Sequence, residues 1–122
     1  MNNAEVLDQA LVAELRDIMG AEFPMLVQAY LRDAAARLEE IKTLVSGIGN
    51  AAQDEALRRA AHTLKGSSSN LGAVRVAALC AALEDAMAGA DSTPGEAADV
   101  SRLMDELEHA AAEASDALAA LV

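Results

Sequence analysis

The chain has 122 residues, a length that fits one domain over residues 1–122, able to bury roughly two thirds of its unfolded surface in a single core. Hydrophobic residues make up 53%, but aromatics are only 2% and prolines number two, and much of the apolar content is alanine, a balance that favours close-packed helices over sheet. The formal net charge of −11 repels nucleic-acid phosphates and anionic lipid, so neither is an expected partner.

A first helix is expected from about residue 5 to 19, with Leu7, Leu11, Leu15 and Ile18 on one side and Gly20 ending it. It is short and suited to capping a bundle. A second, long helix begins near Pro24, since proline is tolerated in a first turn. Its apolar stripe comprises Leu26, Val27, Tyr30, Leu31, Ala34, Leu38, Ile41 and Val45, before Gly47 and Gly49 break it. At about 1.5 Å per residue it spans roughly 30 Å. A third helix is read from about 53 to 71, ended by Asn70 and Gly72, and a fourth from about 74 to 90 with Val76, Leu79, Cys80, Leu83 and Met87 inward. The fifth opens at Thr93-Pro94-Gly95-Glu96, where Thr93 can cap, Pro94 takes the first helical position and Glu96 closes a capping box. Its apolar face continues through Val100, Leu103, Leu107, Ala110, Ala114, Leu118 and Leu121. Four amphipathic helices joined by short turns imply an all-α fold: an antiparallel up-down four-helix bundle with a short N-terminal capping helix.

The longest apolar runs, such as Ala117-Leu118-Ala119-Ala120-Leu121-Val122, fall far short of the ~20 residues a membrane span needs. The first residues carry no basic stretch followed by an apolar run and a cleavage site, and the single cysteine, Cys80, can form no internal disulfide. A cytoplasmic, non-membrane protein is expected. The charge is uneven: residues 53–75 hold Arg58, Arg59, Lys65 and Arg75 against Asp54 and Glu55, a local +2 in a chain whose remainder is −13.

That basic segment is also where local propensity fails. With Leu57 at 0° on a wheel of 100° per residue, Ala60, Ala61, Leu64, Ser68 and Leu71 fall within about 60° of it and form the core stripe. On the same wheel Lys65 lies near ~80°, Arg58 near ~100°, Ser69 near ~120°, His62 near ~140° and Gly66 near ~180°. His62 therefore faces outward, with a cation one turn before it and another one turn after. Gly66 costs about 1 kcal/mol relative to alanine in a helix interior, and local inconsistency of this kind marks function. Its missing side chain opens space beside the imidazole, one turn away on the same face. An exposed imidazole is largely neutral at pH 7 and offers a lone pair for nucleophilic attack. Lys65 and Arg58 are placed to stabilise charge on a transferring phosphoryl group.

The run His62-Thr63-Leu64-Lys65-Gly66-Ser67-Ser68-Ser69-Asn70-Leu71-Gly72-Ala73 resembles the signature of histidine phosphotransfer (HPt) domains, His-x-Leu-Lys-Gly-Ser with a Gly-Ala pair a few residues on. Leu79-Cys80-Ala81-Ala82-Leu83-Glu84 resembles that family's next helix, and helix order and length extend the likeness over nearly the whole chain. The resemblance implies a phosphocarrier that relays a phosphoryl group between receiver-domain aspartates in a two-component phosphorelay. His62 would be the phosphoacceptor, Lys65 its electrostatic support and Gly66 the room for a docking receiver. Arg58 and Ser69 are added from the wheel alone. The implied partners are response-regulator receiver domains and a hybrid sensor histidine kinase, with the chain acting as a monomer. No cofactor is expected in the chain itself, since the family's receiver domain supplies Mg2+ and most of the catalytic groups.

Other readings of these residues are weaker. Glu106-Leu107-Glu108-His109 has the Glu-x-x-His form of di-iron bundles, but such a site needs a second copy, and His109 lies about 200° from Leu107, toward solvent. No metal site is expected. Cys80 lies on an apolar face and reads as a core filler, and the five methionines are scattered. No G-x-x-x-x-G-K-[ST] loop is present, so the chain is not expected to bind or hydrolyse ATP or to be an enzyme in its own right. A histidine-kinase dimerisation domain typically has an acidic residue after its histidine and a proline shortly beyond; neither is here. The competing class is a helical adaptor that binds and regulates a receiver domain or sensor kinase without transferring phosphate. Such a protein would have no need of a nucleophile.

Overall fold

A computed structural model describes residues 5–47, 49–88 and 95–122, with side chains at 88 and 95–98 left aside. All regular structure among them is helical. Asp8, in an extended conformation, accepts a hydrogen bond from the Leu11 N–H and starts α1, Gln9–Met19. A 3-10 turn, Gly20–Glu22, leads into α2, Phe23–Val45, with Pro24 in its first turn. Asn50 caps α3, Ala51–Leu71, by accepting from the N–H groups of Ala52 and Gln53. Helix α4 spans Val74–Ala88 and α5 spans Gly95–Ala119. The capping box expected at residues 93–96 and the end of the fourth helix near residue 90 lie outside the described residues.

Each of the four long helices packs against the next in sequence, and α5 closes the ring against α2. The short α2–α3 and α3–α4 connections make neighbours antiparallel. Helix α1 covers the bundle end where α3 turns into α4. Gly72 makes that turn in the left-handed region, φ 84°, and its N–H reaches the carbonyls of Ser68 and Ser69. A Cβ there would lie 3.0 Å from Val12 Cγ2, and the Asp8 N–H donates to the Gly72 carbonyl at 2.8 Å. The left-handed conformation favours glycine, and the close approach of α1 leaves an added Cβ little room.

The core is continuous. Its members include Phe23, Val27, Tyr30 and Ile41 from α2, Leu57, Ala61 and Leu64 from α3, Val76, Cys80 and Leu83 from α4, and Val100, Leu107, Ala114 and Leu118 from α5. The six α3 residues placed on the core stripe from the wheel are all buried. Differences from the sequence reading are local. The first helix starts at Gln9 and not near residue 5, because Asp8 caps it there; Leu7 is nonetheless buried, in the segment before the helix. Ile18 is 73% exposed and Val12 is the buried residue of α1, since the helix leans on the bundle end along a narrower face. Leu79 and Met87 are half-buried, and Met104, absent from the expected face of the fifth helix, is in the core.

Candidate functional site

The face of α3 opposite its core stripe carries His62, whose side chain is 62% exposed. Its Nδ1 lies 2.8 Å from Oε2 of Glu84, which α4 presents from the next helix of the bundle. The other carboxylate oxygen, Oε1, is 2.8 Å from the Lys65 ammonium. Arg58, one turn before His62, donates from Nε and Nη2 to the two oxygens of Glu55, at 3.1 and 2.7 Å. Its Nη1 stands 4.0 Å from Glu84 Oε2. One carboxylate thus gathers an imidazole, an ammonium and a guanidinium.

Glu84 reaches this place because its neighbours fix α4. Leu83 and Cys80 are fully buried against α3, in the most extensively packed helix pair of the bundle. The Glu84 side chain is only 17% exposed. Its Oε1 is shielded from solvent, with the Lys65 ammonium facing it. Lys65 first, then the His62 hydrogen bond, hold the Glu84 carboxyl below the usual range despite the opposing effect of burial. An anion at neutral pH has acceptors only, so the proton in the His62–Glu84 bond sits on Nδ1 and the lone pair on Nε2.

Gly66 follows one turn after His62. A Cβ built there meets nothing within 4 Å, so nothing inside the protein requires glycine. Beyond it a shallow groove between α2 and α3 is lined by Leu26, Ala29, Tyr30, Ser67, Asn70 and Leu71. Ser68, the one buried polar residue among those described, bonds through Oγ to the Tyr30 hydroxyl at 2.7 Å and ties α3 to α2.

Of the five candidate residues from the sequence, the structure gathers three, His62, Lys65 and Arg58, around Glu84. Gly66 adjoins them. Ser69 is exposed and two turns from His62; its carbonyl helps cap α3, and no contact of its side chain with the cluster is present among the described residues. Glu84 itself was missed as a site residue. The signal was the acidic pair Glu84-Asp85 that follows the apolar run Leu79 to Leu83, but nothing in the spacing shows which face of α3 either acid meets.

His109 is 75% exposed, as the wheel placed it, with Nε2 3.4 Å from Glu113. Cys80 is buried and its thiol is pushed up to about 12 by desolvation, which suits a packing residue and not a nucleophile.

The Hpt domain family model matches residues 25–117, and the chain belongs to the Hpt domain family. Among solved structures it is similar to histidine-containing phosphotransfer protein B (HptB) from Pseudomonas aeruginosa PAO1. The two share a TM-score of 0.79 and 29% identity over 95% of this chain and 93% of that one. No curated protein matches at a significant level. The protein has a phosphorelay role, and proteins of this family are phosphocarriers that work with receiver domains in two-component relays. No described helix is long and apolar enough to cross a membrane.

Proposed function

We propose that His62 is the phosphoacceptor of this carrier, taking a phosphoryl group from one receiver-domain aspartate and giving it to another. The observation that carries this reading is an exposed imidazole whose Nδ1 is held by Glu84, which leaves Nε2 as the nucleophile. Lys65 and Arg58 supply positive charge beside the transferring group. Gly66 and the groove beyond it leave room for the docking receiver, which brings the Mg2+ and the groups that polarise the phosphoryl oxygens. The chain needs no ATP site and no cofactor of its own. It acts as a cytoplasmic monomer, in one 1–122 domain, between a hybrid sensor kinase and a response regulator.

The test is incubation with a phosphorylated receiver domain. The chain is expected to gain an acid-labile, alkali-stable phosphate that His62→Gln eliminates. Label retained in that variant would place the acceptor elsewhere.

A further inference from the structure

The Glu84 contact bears on the second half of the transfer as well as the first. Resting on the reading that His62 carries the phosphate, we propose that Glu84 is a positioning residue that keeps Nδ1 protonated throughout, so that phosphorylated His62 always has neutral imidazole as its leaving group. The 2.8 Å contact to an acceptor-only carboxylate fixes the proton before the reaction.

The steps balance without any proton exchange with water. The Nε2 lone pair attacks the phosphorus of a receiver acyl phosphate, the P–O bond breaks, and the electron pair leaves with the receiver carboxylate. The ring is now a cation, phosphorylated at Nε2 and protonated at Nδ1, against the Glu84 anion. In the second transfer a receiver carboxylate attacks phosphorus, the P–N bond breaks, and its pair returns to Nε2. The ring is neutral again with its proton still on Nδ1. Had Nδ1 lost that proton, the leaving group would be imidazolate, a far stronger base and a far poorer leaving group.

The charged groups facing the ring are Glu84 from α4, and Lys65 and Arg58 from α3, with Glu55 engaging Arg58. Among the described residues no charged group of α2 or α5 is paired with this cluster, and Cys80, one turn before Glu84, is buried and neutral. The two cations oppose ring protonation. The geometry divides their influence: Lys65 takes Oε1, Arg58 is engaged bidentately by Glu55 and reaches Oε2 only at 4.0 Å, and His62 is the nearer partner of Oε2 at 2.8 Å. An opposite charge this close favours the protonated ring, and the Lys65 contact at the other oxygen offsets only part of that effect.

The variant that isolates the charge is Glu84→Gln, whose amide oxygen can accept the same hydrogen bond. Wild type and variant are phosphorylated with phosphoramidate. The ring is followed by two-bond 1H–15N spectra across pH, and loss of phosphate by 31P spectra. Expected are phosphate on Nε2 in both and a lower ring titration midpoint in Glu84→Gln. Loss of phosphate from the variant is then several-fold slower at alkaline pH, where less of its ring is protonated. The rates converge in acid, where both rings are protonated. Equal midpoints, or phosphate on Nδ1, would overturn the proposal. Labelling of a His62→Gln sample would instead overturn the acceptor assignment, whatever Glu84 does.

Discussion

Gly66 lowers the stability of its helix, and nothing inside the protein requires it. It sits in mid-helix, where glycine is worse than alanine by about 0.5–1 kcal/mol, and no neighbour would touch an added methyl. Gly66→Ala is therefore expected to raise the stability measured by urea unfolding by roughly that amount while slowing phosphotransfer from a receiver domain. Faster or unchanged transfer would remove Gly66 from the docking surface. The residue scale is also where the sequence was most readable: His62, Lys65, Arg58 and Gly66 share one helix, so the 100° step per residue places them without any knowledge of the rest of the fold. Glu84 shows the limit of that method. It lies on another helix, and no rule of spacing aligns the axial register of α4 with that of α3.

At the scale of elements, the helices and most of their inward faces follow from periodicity, and their ends follow from caps such as Asn50 and Gly72. What periodicity leaves open is how a polar core residue is satisfied. Ser68 falls on the α3 core stripe, and its partner is a tyrosine 38 residues earlier on α2. Removing the Tyr30 hydroxyl leaves the Ser68 hydroxyl buried with its partner gone, a loss worth about 1–3 kcal/mol. Tyr30→Phe should lower the unfolding midpoint accordingly and leave the rate at which phosphoramidate labels His62 unchanged, because Ser68 faces away from the imidazole. A changed labelling rate would show that the α2–α3 tie also sets the geometry of the site.

For the whole molecule, the candidate site rests on the α3–α4 pair, while α5 contributes core area at a distance from it. Leu107, fully buried on α5, tests that division. Leu107→Ala is expected to cost about 2–5 kcal/mol of stability by leaving a cavity. Transfer per folded molecule should stay as in the wild type, measured well below the unfolding midpoint. Loss of transfer in a folded Leu107→Ala sample would mean that the whole bundle sets the position of Glu84.

The sequence by itself determined the helices, the core stripe of α3, the outward histidine with its cations and glycine, and through its signature the family. All of these are encoded along individual helices and their ends, where geometry is fixed by the backbone. Tertiary structure alone decided that a carboxylate from α4 holds the imidazole and the ammonium together, and that α1 starts late and rests on Gly72. Such contacts depend on the relative sliding and rotation of packed helices, which core side chains far from the contact settle, and which local periodicity does not encode.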